Sequence, residues 1–194
     1  MIVEEIIERL KKTLSEKRFN HTMGVAKEAR RLCKHYGGDE EKAYIAGLLH
    51  DCAKEIPYED SLKMIEEKGI EADDLLKQCR GIVHGPVGEY VAKEEYGITD
   101  KEILSAIRYH STGRSNMTFL EKIIFLADFI EPGRNFEDID RAREIAYKDI
   151  DDAIIFTCNR ILTFTINNHK IIHNDTLDTR NYLLIQKRLD GGKI

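Results

Sequence analysis

His50 and Asp51 stand side by side in the segment Gly47-Leu48-Leu49-His50-Asp51-Cys52-Ala53-Lys54. On a helix, neighbouring residues are turned by about 100°, so the two side chains reach one point from adjacent faces. Lys54 follows His50 by four residues and Asp51 by three, which sets a cation over the same point. Alone, such a pair is as readily a surface ion pair. Other residues shift the balance. Asp128 lies inside the apolar run Ile123-Ile124-Phe125-Leu126-Ala127-Asp128-Phe129-Ile130, where an ionised carboxylate is costly unless it is paired or binds a metal. His21 shares a helical face with Val25, Glu28 and Leu32. His84 leads a face with Val87, Gly88 and Val91, and His110 ends one with Ile103, Ala106 and Ile107. Each histidine taken singly reads as a hydrogen-bonded core residue. Together with His50, Asp51 and Asp128 they supply imidazoles and carboxylates from separate helical segments, a donor set for iron or manganese. No thiolate belongs to it, which disfavours structural zinc.

Helical periodicity positions these groups. Ile2, Ile6, Leu10 and Leu14 form one apolar stripe; Val25, Ala29 and Leu32 form another; Ala43, Ala46 and Leu49 follow. Thr118 and Glu121 form a capping box ahead of the Asp128 helix. Pro57 and Pro132 stand where apolar helices should stop, and Pro86 suits the first turn of a helix running towards Tyr96. Strand alternation, internal repeats and low-complexity linkers are not found. The pattern predicts one all-α domain over residues 1–194, with about nine to eleven helices by their usual lengths. The last two, around Asp151 to Asn168 and Thr176 to Leu189, are expected to close over the site.

The chain has 194 residues, of which 42% are hydrophobic and 34% charged, with a net charge of −5. That suits a soluble globular domain and argues against a broad nucleic-acid surface. A small anionic substrate remains compatible, because local cations and a metal outweigh the overall sign. There is no apolar run of about 18 residues to span a membrane. Glu4, Glu5, Glu8 and Arg9 interrupt the opening segment, unlike a signal peptide, so a cytoplasmic protein is expected. Cys33, Cys52, Cys79 and Cys158 form no C-x-x-C pair and read as reduced, partly buried thiols. His35, His169 and His173 lie in polar surroundings and read as surface residues.

The order His21, His50-Asp51, His84, His110, Asp128 resembles the HD-domain phosphohydrolase pattern. Five motifs bring the resemblance closer. They are His21-Thr22-x-Gly24-Val25, Gly47-Leu48-Leu49-His50-Asp51-x-x-Lys54, His84-Gly85-Pro86-Val87-Gly88, Ala106-Ile107-Arg108-Tyr109-His110-Ser111-Thr112-Gly113, and Ala127-Asp128-x-Ile130-Glu131-Pro132-Gly133-Arg134. With the tail Ile172-His173-x-Asp175-Thr176, they resemble the YqeK family of bacterial HD-domain symmetrical diadenosine tetraphosphate hydrolases. That resemblance implies an all-α HD-domain helical bundle and an iron-dependent cut of diadenosine tetraphosphate into two ADP. One or two iron ions are implied, with manganese or cobalt as substitutes.

By the same resemblance His21, His50, Asp51 and Asp128 ligate metal. His84 and His110 either bind a second ion or donate to phosphate; the small polar turn at Ser111 after His110 tilts this reading to phosphate. A metal lowers the pKa of its water towards neutrality, which would give the attacking hydroxide. Asp51 and Lys54 are the expected catalytic pair. Arg18, Lys54, Ser111 and Arg134 are expected on substrate phosphate, and His173 on a nucleoside. A homodimer is left open. An HD nucleotidase or phosphodiesterase acting on another nucleotide is the competing enzyme reading. A non-catalytic HD scaffold is disfavoured, because it would not need the full set of ligands and Lys54.

Overall fold

The computed structural model describes residues 2–191; the outermost residues of the expected domain, Met1 and 192–194, lie outside it. Among the described residues there are eleven helices and no strand: α1 (Val3–Thr13), α2 (Glu16–Tyr36), α3 (Glu40–Leu49), α4 (Tyr58–Lys68), α5 (Asp74–Gln78), α6 (His84–Glu94), α7 (Lys101–Tyr109), α8 (Phe119–Ile130), α9 (Ile139–Ala146), α10 (Ile150–Asn167) and α11 (Asn174–Leu189). The expectation of an all-α bundle holds. None of the described helices is long and apolar enough to cross a membrane.

Local chemistry sets the helix limits. Ser15 caps α2 by accepting from the backbone N–H of Arg18, and Gly37 ends it in the left-handed region at φ 78°. Asp39 and Asp100 cap α3 and α7. The Thr118–Glu121 capping box opens α8 as its spacing predicts, and α8 stops just ahead of Pro132. Pro86 lies in the first turn of α6. Pro57 does otherwise than expected: it is the N-cap of α4, not the terminator of the preceding helix. Its fixed φ and missing N–H suit a helix entrance as well as an exit. In the first apolar stripe Ile6, Leu10 and Leu14 are buried, whereas Ile2 is the exposed N-cap residue.

α3 ends earlier than the motif suggests. His50, Asp51 and Lys54 do not lie within a helix, because α3 stops at Leu49 and residues 50–55 form successive turns. Cys52 N–H donates to the Leu49 carbonyl at 3.1 Å and Lys54 N–H to the Asp51 carbonyl at 3.0 Å. These three-residue bonds tighten the chain beyond the helix end. They keep Lys54 one turn from Asp51, so the expected juxtaposition survives in a different backbone form.

α2 packs on α3 and α8, α7 bridges α6 and α8, and α10 lies against α8, α9 and α11. Val25, Ala29 and Leu32 of α2, Ala43, Ala46 and Leu49 of α3, Ile103, Ala106 and Ile107 of α7 and Ile123 to Ala127 of α8 are all buried in one core. The four cysteines are free and buried, as their spacing predicts. A close approach of two helices explains a motif glycine. A Cβ on Gly47 would stand 2.7 Å from Ala26 Cα and 3.1 Å from Ala26 N, so only glycine lets α3 meet α2 there. That approach fixes the His21 helix relative to His50. Gly47→Val should therefore lower stability by about 1–3 kcal/mol, the usual cost of overpacking, and weaken metal binding as well. Urea unfolding followed by circular dichroism checks this; an unchanged midpoint would contradict the close α2–α3 packing.

Candidate metal centre and its cleft

Five segments deliver their polar side chains to one buried point: His21 from within α2, His50 and Asp51 from the end of α3, His84 from the start of α6, His110 from the end of α7 and Asp128 from late α8. His50, Asp51, His84 and His110 are buried; His21 and Asp128 are partly open to the cleft. Two of these positions are helix C-caps. There the His50 Nδ1–H donates to the Gly47 carbonyl, and the His110 Nδ1–H to the Ile107 carbonyl, each at 2.7 Å. Those carbonyls would otherwise be orphaned at the helix end. The bonds also fix the tautomer, leaving each Nε2 with a free lone pair turned inward.

Asp51 divides the donors into two sets. Asp51 Oδ2 lies 3.3 Å from His50 Nε2 and 3.6 Å from His21 Nε2. Asp128 Oδ1 joins this set, 3.1 Å from His21 Nε2 and 4.0 Å from His50 Nε2. Asp51 Oδ1 faces the second set, 3.1 Å from His84 Nε2 and 3.5 Å from His110 Nε2, which are themselves 3.0 Å apart. Donors at about 2.1 Å from one ion and at right angles stand about 3 Å from each other. The second set has that spacing, at 3.0–3.5 Å; the first is looser, at 3.1–4.0 Å, and His50, His110 and Asp128 also gather across the two. The first set brings two imidazole Nε2 atoms to 3.3 Å, and with each Nδ1–H committed elsewhere those are two lone pairs face to face. Asp51 Oδ1 is buried and accepts no hydrogen bond. A cation relieves both conditions, so the residues fit a metal ion.

Protonation agrees. Burial pushes the Asp51 carboxyl up, and the surrounding His50, His110 and His84 imidazoles outweigh it, leaving it well below the ordinary carboxylate range. Asp128 behaves likewise: burial raises it, and His21, His50 and Arg134 bring it far down. Burial pushes His84 down to about 3, so it is neutral at pH 7. Ionised carboxylates and neutral imidazole are the states that ligate metal.

Three cations surround the donors. Arg18 Nη1 donates to Asp51 Oδ2 at 2.7 Å, and Arg134 Nη2 to Asp128 Oδ1 at 2.5 Å. Lys54 Nζ lies 3.2 Å from the Gly81 carbonyl and 3.2 Å from His84 Nε2. Burial lowers the Lys54 ammonium, and Asp51 and Asp128 oppose that shift. Ser111 Oγ is 2.9 Å from His110 Nε2 and 3.2 Å from His84 Nε2. The structure thus brings Arg18, Lys54, Ser111 and Arg134 to the donors.

His173 is the exception. It is buried, not at the surface; it caps α11, and its ring lies 3.3 Å from Asp73 and 3.5 Å from Asp175. The helix cap and the two carboxylates together draw it inward. It lines a neighbouring cavity with Ile82 and Ser111 rather than the donor cluster.

Two residues carry roles that the sequence alone does not reveal. Glu131 Oε1 accepts from His21 Nδ1–H at 3.1 Å, and its Oε2 accepts from Gly133 N–H at 2.5 Å. It does for His21 what a backbone carbonyl does for His50 and His110. The signal was its place three residues after Asp128, one turn along the helix line. Gly24 has no side chain because a Cβ there would meet Glu131 Oε2 at 2.6 Å. Arg143 had no sequence signal. It donates to the carbonyls of Ile130, Glu131 and Arg134 and so pins the loop that carries both Glu131 and Arg134.

The HD domain family profile matches residues 18–133, which contain every donor described above. The chain is 41% identical to a symmetrical bis(5′-nucleosyl)-tetraphosphatase of Halalkalibacterium halodurans, over 94% of this chain and 97% of that one. It is also 41% identical to the enzyme of the same name from Staphylococcus aureus, over 94% of each. A crystal structure from Clostridium acetobutylicum, described as a predicted HD superfamily hydrolase involved in NAD metabolism, superposes with a TM-score of 0.93 at 40% identity. It covers 96% of this chain and 99% of that one.

The Glu131–His21 bond generates a direct expectation. Glu131→Gln keeps the shape but loses the charge that holds the His21 proton on Nδ1. Metal affinity should fall about 10- to 100-fold, the range for removing such a support, with helical content unchanged. Titration against a competing chelator measures it; wild-type affinity in the variant would show that His21 needs no such partner.

Proposed function

Since the chain belongs to the HD-domain family, and within it to the symmetrical bis(5′-nucleosyl)-tetraphosphatases, we propose that it hydrolyses diadenosine tetraphosphate at the centre of the phosphate chain, giving two ADP. The observation that carries this reading is a buried Asp51 shared between two donor sets, with Arg18, Lys54 and Arg134 around it. A polyphosphate is the ligand such a site suits, because each phosphate brings a charge for a cation to meet.

His21, His50, Asp51 and Asp128 would hold one metal ion, and Asp51, His84 and His110 a second. The donor types suit iron or manganese; the family resemblance favours iron, with manganese or cobalt as substitutes. The division of Asp51 supports the second ion over the assignment of His84 and His110 to phosphate alone. When bound, such ions supply Lewis acidity to phosphate oxygens and a water acidified towards neutral pH.

The chain's own residues do the rest. Asp51 and Asp128 stay ionised and fix the donors. Arg134, one loop beyond Asp128, and Arg18, one turn before His21, present planar guanidinium groups to the phosphate oxygens on either side of the scissile bridge. Lys54 beside His84 and the Ser111 hydroxyl donate to the oxygens on which charge builds as the bridge breaks. The leaving diphosphate needs no proton from the protein, since ADP departs as an anion. α10 lines the cleft beside His110 and Asp128 through Thr157, Ile161 and Phe164, which supports its closing that side, while α11 packs on the turn after α7, where Thr179 donates to the Thr112 carbonyl.

Two outcomes are expected. Chromatography of the products from diadenosine tetraphosphate should show ADP as the sole nucleotide; AMP with ATP would overturn the central cut. Lys54→Ala and Arg134→Ala should keep their metal and lose about 10- to 1000-fold in kcat/KM, the range for removing a charge-stabilising donor. Loss of metal in proportion to activity would show that these cations support the ligands instead.

A further inference from the structure

The donor cluster lies between two clefts of opposite character. On one side, His110 and Asp128 open on a cleft of about 540 Å³ lined by Phe125, Phe129, Phe136 and Phe164. The Phe129 and Phe136 rings stand with centroids 4.9 Å apart, and the Arg160 guanidinium lies 5.9 Å from the Phe136 centroid. Phe164 is 56% exposed, with the Lys170 ammonium 4.7 Å from its ring centroid. On the other side, His21 opens on a cleft of about 700 Å³ lined by Lys17, Arg18, Lys27 and Arg134. Apart from the His21 imidazole, that cleft has no aromatic side chain among the described residues. Arg134 lines both clefts and marks the crossing.

A symmetrical dinucleotide laid across the cluster therefore meets unlike surroundings at its two ends. Flat apolar rings beside a guanidinium stack a nucleobase whatever its edge pattern. Ammonium and guanidinium groups without rings hold phosphate. We infer that the enzyme reads a single nucleoside, in the phenylalanine cleft, and holds the other half of its substrate by phosphate alone. It then also cleaves mononucleoside 5′-tetraphosphates, an activity that rests on the symmetrical tetraphosphatase reading.

The reaction needs only water. The water oxygen bonds to the phosphorus on one side of the central bridge, and the bond from that phosphorus to the bridging oxygen breaks. The bridging oxygen departs with its diphosphate, and the proton passes to solvent. The products are a nucleoside diphosphate and pyrophosphate. Removing the second nucleoside turns an ester phosphate into a terminal one with an added negative charge, which suits Lys17, Lys27, Arg18 and Arg134.

The test presents diadenosine tetraphosphate and adenosine 5′-tetraphosphate to the metal-replete protein side by side. ADP should arise from both, with pyrophosphate from the second. Their kcat/KM values should lie within about tenfold of each other, since the second adenosine has no ring to stack on in the cationic cleft. A mononucleoside substrate turned over more than about a thousandfold more slowly, while the dinucleotide still yields two ADP, would overturn this inference and leave the symmetrical reading standing. Failure to obtain ADP from the dinucleotide removes both. Calorimetric titration gives a readout independent of turnover. ADP should saturate at one per chain, and Phe164→Ala, a change at an open position, should weaken it about tenfold or more without weakening pyrophosphate. Two ADP per chain, or an unchanged ADP affinity in Phe164→Ala, contradicts the assignment.

Discussion

Asp51 is a carboxylate with 3% of its side chain exposed, in a region where burial opposes its charge. Its charge is held by the Arg18 guanidinium, which donates to it, amid imidazoles that converge from separate elements and leave a place that suits a cation. Every nearby backbone feature serves that convergence. α3 ends one residue before His50, so that the His50-Asp51 pair leaves the helix and turns into the bundle. α7 ends in the same way before His110. The C-termini of both helices carry partial negative charge and face the cluster, which favours a cation there over an anion. The cost of gathering so many polar groups away from water is met by the surrounding apolar core rather than by the pairs themselves.

Orientation is a second, less visible layer. A histidine offers a lone pair at Nε2 only if something holds the proton at Nδ1. Two backbone carbonyls and the Glu131 carboxylate supply that for His50, His110 and His21. Glu131 is in turn kept in place by Gly133 and by the close approach of Gly24, and its loop by Arg143. A long chain of ordinary hydrogen bonds and close packing thus sets the direction of one ring nitrogen, and through it the shape of the donor set.

Much of this was legible in the sequence, because helical spacing is a local property. The apolar faces of α2, α3 and α7, the Thr118–Glu121 capping box and the separate His and Asp positions all follow from periods and caps that neighbours decide. What stayed hidden depends on individual side-chain and turn bonds, or on distant partners, that helical spacing does not announce. The exit of His50 and Asp51 from their helix needs the carbonyl of Gly47 and the turn bonds beyond it. The burial of His173 needs Asp73, a hundred positions away. The two sides of Asp51, and the contrast between a phenylalanine cleft and a cationic one, exist only once α2, α6, α7, α8 and α10 are assembled. Glu131 lay within a recognised motif yet carried no role, since a single glutamate does not announce which ring it will face.

The claim on which the account turns is that Asp51 joins two ion sites. The direct measurement is the number of ions bound per chain in the wild type and in Asp51→Asn, by elemental analysis of the refilled proteins. Asparagine keeps the side-chain shape while removing the charge and one donor oxygen, and relieving a buried charge should leave the metal-free fold at least as stable. The account predicts two ions in the wild type and at most one in the variant. A folded Asp51→Asn protein that still binds two ions with wild-type affinity would contradict it.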